Sequence, residues 1–409
     1  MISYAQALEI VLSSADPLGT VSIQIEKVDG FCLAQPVSTP DPIPRFDNSA
    51  VDGYGVMASD TATASSAVPV RLALIGTIGA GGSNAGTIKS GQAVKIFTGG
   101  AIPSEVDAVI MREDVRESDP IIVTQPVQSG TNIRRTGEEF KVGQVVLESG
   151  IKVTPAVIGL LAQLGVASVE VYRKPTVALI ITGNEFGSSG RSLSAGQIYD
   201  CNTPALVAAL KSLGIDSIET FRIEDAPDPL RACLKEALHR HDVIITVGGI
   251  SMGDFDYVRP VLTALGVEQK YWQVAMKPGK PNYFGTYVSK GERKKLVFGL
   301  PGNPVSALVS FLLLVKPALH TILGRAGAGS SDLFNAKLMK SINSEGGRLE
   351  FVRGRLSTTV TGWEVEPVAR QGSHMLGGLT KADCFIRCPE PAEHIKAGQS
   401  VAVQKIQWD

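Results

Sequence analysis

The chain has 409 residues, 44% of them hydrophobic and 19% charged, with a formal net charge of −1. That is the composition of an ordinary globular protein of two to four domains, at roughly 150 residues each. The near-zero charge excludes a global basic field for nucleic acid or an anionic membrane surface, so any anion site has to be local.

The five cysteines, Cys32, Cys201, Cys233, Cys384 and Cys388, are scattered and contain no Cys-x-x-Cys pair. A zinc site or a disulfide framework is not expected, and a reducing cytoplasm fits. The N-terminus, MISYAQALEIVL, lacks the basic start of a signal peptide. The longest apolar run, Ala307 to Val315, is far short of a membrane span.

In chain order, Ser3 is placed to cap a helix with Tyr4, Leu8, Val11 and Leu12 on one face, ending before Asp16-Pro17. Val21 to Leu33 reads as strand and turn. From Ser38 to Tyr54 runs a polar loop with Pro40, Pro42 and Pro44, too rich in proline for a helix or a central strand. It serves as a functional loop, a rigid linker, or both. Residues 55–150 show strand and turn character, with strands expected at Val68–Ile78, Ala93–Phe97, Asp107–Met111 and Ile121–Thr124. Thr154-Pro155 opens a helix to Leu164.

After Arg173-Lys174-Pro175 the pattern alternates. Strands are expected at Thr176–Ile181, Ile215–Ile223, Val243–Val247, Val267–Trp272 and Leu296–Leu300. Helices are expected from Thr203-Pro204 to Gly214, from Asp228-Pro229 to Leu238, over Val258–Leu265 and over Val305–Leu323. This implies a mainly parallel sheet with helices on both faces. There is no G-x-G-x-x-G after its first strand, which counts against a dinucleotide site. Beyond the glycine-serine stretch Gly324–Ser331 the chain turns to strands again, at Arg348–Leu356, Val365–Val368, Cys384–Arg387 and Ser400–Ile406.

The chemistry concentrates in loops. The run Asp242 to Tyr257, DVIITVGGISMGDFDY, is a buried strand that ends in Gly248-Gly249 and then presents Ser251, Asp254 and Asp256. Uncovered glycine amides suit phosphate oxygens, and carboxylates suit Mg²⁺ bridging them; a tight turn with solvated acids is the plainer alternative. In a parallel sheet this loop should meet two others, Thr182-Gly183-Asn184-Glu185 and Pro301-Gly302-Asn303-Pro304-Val305-Ser306, at one carboxyl edge. At the second of these, free helix N–H groups could cradle a phosphate. Lys277 and Lys280 add ammonium groups near that expected anion site, and Tyr199-Asp200 and Glu224-Asp225 fall in similar edge positions. In the β region, Thr98 stands beside Gly99-Gly100. Arg134-Arg135 stand beside Glu138-Glu139, reading either as a planar fork for an oxyanion or as a solvated ion-pair cluster.

Seven stretches, in order, carry a resemblance. They are Asn48–Tyr54, Phe97–Gly100, Arg134–Glu139, Thr182–Glu185, Gly248–Tyr257, Lys277–Pro281 and Pro301–Ser306. Together they resemble the MoeA family of molybdopterin molybdenumtransferases and the equivalent domain of gephyrin, over nearly the whole chain.

The resemblance implies an α/β plus β fold: a doubly wound, mainly parallel molybdopterin-binding domain (176–326), a small inserted β domain (55–145), an elongated linker domain (1–54 with 146–175) and a C-terminal β domain (327–409). It also implies a homodimer with the active site shared between chains, and Mg²⁺-dependent insertion of molybdate into adenylylated molybdopterin with release of AMP. By motif, Asp52, Thr98, Asp225 and Asp254 take catalytic positions, and Glu185 with Asp254 the metal position. Arg134, Arg135, Glu139, Gly248, Gly249, Ser251, Lys277, Lys280, Pro301, Gly302, Asn303, Ser306 and Ser373 take substrate-binding positions. The implied partners are the molybdopterin adenylyltransferase and other cofactor-synthesis proteins, with neither nucleic acid nor membrane.

Two positions depart from the family pattern. Asn184 stands where T-G-D-E has aspartate, removing a charge, and Glu139 replaces an aspartate. The alternative functions are adenylylation of molybdopterin, since the α/β fold is shared, and a non-catalytic molybdopterin-binding scaffold.

Overall fold

Runs of β-branched and aliphatic residues build the centre of the larger of two units, which comprises Met1–Gln35, Ser149–Leu161 and Val166–Asp409. The structure, a computed structural model, describes residues 1–82, 86–187, 190–250, 256–291, 293–327, 333–360, 362–390 and 394–409. Ser251, Asp254 and residues 328–331 of the expected linker therefore lie outside the described residues.

Val177–Thr182, Val243–Val247 and Lys295–Leu300 are buried along their whole lengths. They pair in parallel, Val177 opposite Val243 and Val243 opposite Leu296. Ile218–Ile223 joins the outer side of Val177–Thr182 in parallel. On the other flank Tyr283–Tyr287 and Glu268–Trp272 run antiparallel. Side chains alternate between faces. Val177, Leu179 and Ile181 enter one core with helices Tyr4–Ser14, Asn202–Ser212 and the helix that begins at Pro304, while Ala178 and Ile180 enter a second with helices Pro227–Arg240 and Val258–Ala264. A strand buried on both faces reads as an unbroken apolar run, which is why Val243–Val247 stands out in the sequence. Each fully buried aliphatic side chain there contributes ~1.5–3 kcal/mol.

The expected first cap is present: Ser3 and Gln6 form a reciprocal capping box. Pro304–Ile322 is one 19-residue helical stretch, long and apolar enough by composition to cross a membrane, with 78% of its apolar window buried inside the protein. The apolar run Ala307–Val315 understates it, because Ser306 and Lys316 bound the run but not the helix. The helix lies in the first of the two cores described above. All five cysteines are free thiols.

Two segments differ from expectation. Met276 and Lys277, given no strand from the sequence, belong to the strand Val274–Lys277. It pairs with Ile2–Ser3 and with Leu349–Thr359, in a seven-stranded sheet otherwise built from C-terminal residues. The prolines at 278 and 281 hide so short a strand. Tyr283–Tyr287 was likewise not expected, and Gly285 in its middle breaks its pattern.

The smaller unit comprises Pro36–Glu148 with Ala162–Gly165. Its six-stranded sheet has the order Ala108–Met111, Gly53–Val56, Gln92–Ile96, Val70–Ile78, Ile121–Val123, Val115–Arg116. Gly53-Tyr54, read from sequence as the end of the proline loop, instead begins a strand buried between two partners. The loop before it is tied down throughout. Asn48–Ser49 pairs with Ile133–Arg134, Ile43 bridges Phe140, and Val37–Ser38 pairs with Val145–Leu147.

Glycine is required at 53, where a Cβ would overlap the carbonyl oxygen of Ile110. Gly53→Ala is therefore expected to destabilise the smaller unit by about 1–3 kcal/mol. Hydrogen exchange should show faster opening of Gly53–Val56 and its two partner strands, with the Val243–Val247 sheet unaffected.

Candidate functional site

In the larger unit, three neighbouring parallel strands end side by side, so the loops after Thr182, Val247 and Leu300 emerge at one edge. Their backbones approach closely. At Gly248 (φ +91) a Cβ would stand 3.0 Å from both the carbonyl and hydroxyl oxygens of Thr182, and at Gly249 (φ +63) it would stand 2.9 Å from Val258. The Gly248 N–H donates to the Leu300 carbonyl at 3.0 Å. That amide is thus used within the sheet and is not open to phosphate as expected.

Pro301 is buried, while Gly302 and Asn303 are exposed. Asn202 Nδ2 donates to the Gly302 carbonyl at 2.8 Å, which fixes this loop. The buried Asn202 Oδ1 has no partner among the described residues. In the first turn of the long helix the Val305 N–H donates to the Ser373 carbonyl at 3.1 Å. Ser373 is thereby brought to the same edge, and one of the amides expected to be free is occupied. Ser306, in the same turn, is buried.

The acids at this edge repel one another. The Asp225 N–H donates to Asn184 Oδ1 at 3.2 Å. The Asp225 carboxyl is raised above the usual aspartate value by burial and by the charges of Glu185 and Asp256, against the opposing effect of the Thr182 hydroxyl. Glu185 is exposed. Among the described residues no three His, Cys, Asp or Glu side chains are placed to ligate one ion. Magnesium, however, needs only one or two carboxylates beside phosphate oxygens, and a divalent cation would relieve the repulsion that raises Asp225. The acids present therefore fit such an ion. Asp200, by contrast, is structural: it caps the following helix through the Thr203 N–H at 3.0 Å and pairs with Arg222 at 3.2 Å.

The two lysines differ. Lys277 makes ion pairs with Glu345 at 2.9 Å and Glu350 at 3.0 Å. Burial disfavours its charge, but the two carboxylates outweigh burial and raise its pKa. Lys280 is exposed. Beside Lys277 lies a cleft of about 260 Å³ that also reaches Ser341, Asn343, Glu350 and Gln371.

Arg353, which sequence reading misses, is 1% exposed. Its Nη2 donates to the carbonyls of Arg370 at 2.7 Å and Gly372 at 3.3 Å, while Nε and Nη1 have no partner among the described residues. Burial lowers its pKa. A buried guanidinium without an acid is costly, and here it holds the loop that carries Ser373. In sequence, Phe351-Val352-Arg353 is simply part of a strand, so nothing marks the arginine as buried.

In the smaller unit, Asp52 Oδ1 accepts the Thr98 N–H at 2.8 Å and the Thr98 hydroxyl at 2.7 Å. These bonds hold the Asp52 carboxyl below the usual aspartate value. Arg135 and Thr136 close on Asp47, with the guanidinium, the Thr136 N–H and the Thr136 hydroxyl each donating at 2.7 Å. One arm of the Arg135 guanidinium is therefore held within the chain. Arg134 and Glu139 are exposed.

Residues 178–321 match the family described as a probable molybdopterin binding domain. The α/β sheet with its glycine-lined carboxyl edge is thus the fold of a molybdopterin-binding class. Residues 2–165 match the MoeA N-terminal region, domains I and II, and residues 335–406 the MoeA C-terminal region, domain IV. A molybdopterin molybdenumtransferase of Haemophilus influenzae is 35% identical over 95% of this chain and 94% of its own. One of Staphylococcus aureus is 32% identical over 98% of this chain and 95% of its own. A crystal structure of the MoeA protein of Pyrococcus horikoshii OT3 superposes with a TM-score of 0.82 at 30% identity, covering 99% of this chain and 100% of that one. The chain belongs to the MoeA family.

Two measurements follow from the charges. A carboxyl whose folded pKa is raised loses stability as pH rises through that value. Asp225→Asn should therefore raise the thermal midpoint at about pH 7 without added metal, by roughly one to two degrees. The gain should vanish near pH 3, where the wild-type carboxyl is also protonated. Lys277→Ala leaves Glu350, 5% exposed, without its ammonium partner and should destabilise the fold by about 1–3 kcal/mol. Lys280→Ala should change stability by less than about 0.5 kcal/mol.

Proposed function

We infer that this chain inserts molybdenum into molybdopterin in molybdenum-cofactor synthesis, taking molybdate and adenylylated molybdopterin and releasing AMP. The observation that carries this reading is the grouping of Asp225, Glu185 and Asp256 beside the Gly248 and Gly302 loops, within the molybdopterin-binding fold.

Cleaving the phosphoanhydride, in which water attacks one phosphorus and the bridging P–O bond breaks to release AMP, needs the charge on its oxygens neutralised. Glu185 and Asp225, with Asp254 by its sequence motif, would hold a Mg²⁺ ion, which would supply that neutralisation. Lys280 offers an exposed ammonium to phosphate or molybdate. Arg353 holds the Ser373 loop, and Asp52, fixed as an anion by Thr98, presents a carboxylate to the substrate.

We further propose the fourfold domain division given above, a cytoplasmic location, and a homodimer in which Asp52 and Thr98 of one chain complete the site formed by the α/β domain of the other. Contacts with the adenylyltransferase of the preceding step belong to the same proposal.

The test supplies adenylylated molybdopterin, molybdate and Mg²⁺. AMP release with molybdenum incorporation, abolished by a chelator, is expected. Binding without turnover would point to a scaffold, and adenylylation of molybdopterin from ATP to the preceding step. For the shared site, chains carrying Asp52→Ala are mixed with chains carrying Asp225→Ala, each inactive alone. Partial recovery is expected, and none in confirmed heterodimers would refute sharing.

A further inference from the structure

The functional reading leaves one group of the smaller unit unused. Phe97, 39% exposed, directly precedes Thr98. A lone exposed aromatic means little; the meaning here comes from its placement. In the sheet register Gly53 faces Ile96 on one side and Met111 on the other. The next residues along, Asp52, Phe97 and Arg112, therefore stand in a row where three neighbouring strands end, and the Arg112 N–H donates to the Asp52 carbonyl at 3.1 Å.

Two residues further in, Tyr54 and Lys95 repeat the row on the same side. Glu117 ties this side together, accepting from the Tyr54 hydroxyl at 2.9 Å and Arg112 Nε at 2.7 Å, with Lys95 at 3.8 Å. Lys95 Nζ lies 5.9 Å from the Phe97 ring centroid. The Phe97 backbone is pinned on both sides: its N–H donates to the Ile78 carbonyl at 3.0 Å, and its carbonyl accepts the Gly100 N–H at 2.8 Å. The backbone that carries the ring is thus fixed next to Thr98, which in turn fixes the Asp52 carboxylate.

We propose that Phe97 is the specificity platform for the pterin of the substrate: the pterin stacks on the phenyl ring while Asp52 accepts hydrogen bonds from its edge. This rests on the function proposed above. Asp52 Oδ1 accepts both Thr98 bonds, which leaves Oδ2 as the oxygen to accept from the ligand. A carboxylate oxygen only accepts. The pterin edge offers an N–H beside an NH₂, two donors side by side, which suits it. Adenine offers an NH₂ beside a ring nitrogen acceptor, whose lone pair opposes the carboxylate. The row therefore selects the pterin over the adenine of the same substrate.

The experiment has two readouts. First, Phe97→Trp is titrated with a 6-carboxypterin probe and, separately, with AMP. The pterin should quench indole emission beyond its effect on the wild type, and AMP should not. Second, steady-state kinetics compare Phe97→Ala with Phe97→Tyr. Losing one stacking contact should raise KM for adenylylated molybdopterin about five- to a hundredfold, with kcat falling much less, and tyrosine should restore KM. Unchanged KM in Phe97→Ala, no rescue by tyrosine, or quenching by AMP and not by the pterin would each overturn the proposal. If the wild type does not turn over adenylylated molybdopterin, the functional reading fails instead, and the pterin titration of Phe97→Trp still decides the platform.

Discussion

The crossing of Gly248 over Thr182 is the constraint on which the edge of the α/β sheet depends. Backbone lies directly against backbone there, because a Cβ at Gly248 would stand 3.0 Å from two oxygens of Thr182. With the Gly248 N–H committed to Leu300, the ends of the three strands are tied together. The loops that leave them inherit this order. Thr182 faces Asp225, Gly302 is held by Asn202, and Val305 meets Ser373. A larger residue at 248 would not merely strain one turn, because it would separate every loop that this edge positions.

Two aspartates show how environment divides roles between identical side chains. Asp52 is exposed and receives two bonds from one threonine, so its anion is stabilised before any ligand arrives. Asp225 is partly buried among like charges, so its anion is strained until a cation compensates it. The first is suited to accept donors from a neutral part of a ligand, and the second to gather positive charge against phosphate. Lys277 is balanced differently again, as its ammonium is spoken for by Glu345 and Glu350.

What was legible in the sequence was local or doubly buried. Ser3 signals its helix because a cap and its partner lie three residues apart. Val243–Val247 is found where its apolar run places it, because burial on both faces leaves no polar residue to blur it. What was not legible depends on distant partners. Gly53–Val56 hides behind the prolines, and only Ile110 across the sheet explains its glycine. Asp47, 88 residues away, holds one arm of the Arg135 guanidinium, a partner that neither reading of the Arg134–Glu139 cluster names. Arg353 is a surface-type residue by composition, and its burial follows from carbonyls at 370 and 372 that no spacing rule connects to it. Asn202 supports a loop 100 residues distant.

The long helix Pro304–Ile322 has a consequence for how the chain is made. Exposed on a nascent polypeptide, 19 such residues have the length and apolarity of a membrane-inserting segment. Every strand of the six-stranded sheet it packs beside, from Val177–Thr182 to Lys295–Leu300, precedes it in the chain, as does the helix Tyr4–Ser14 that shares its core. Synthesis runs from the N-terminus, so the receiving surface leaves the ribosome before the helix does. The order of elements thus shortens the interval in which this apolar helix has no partner.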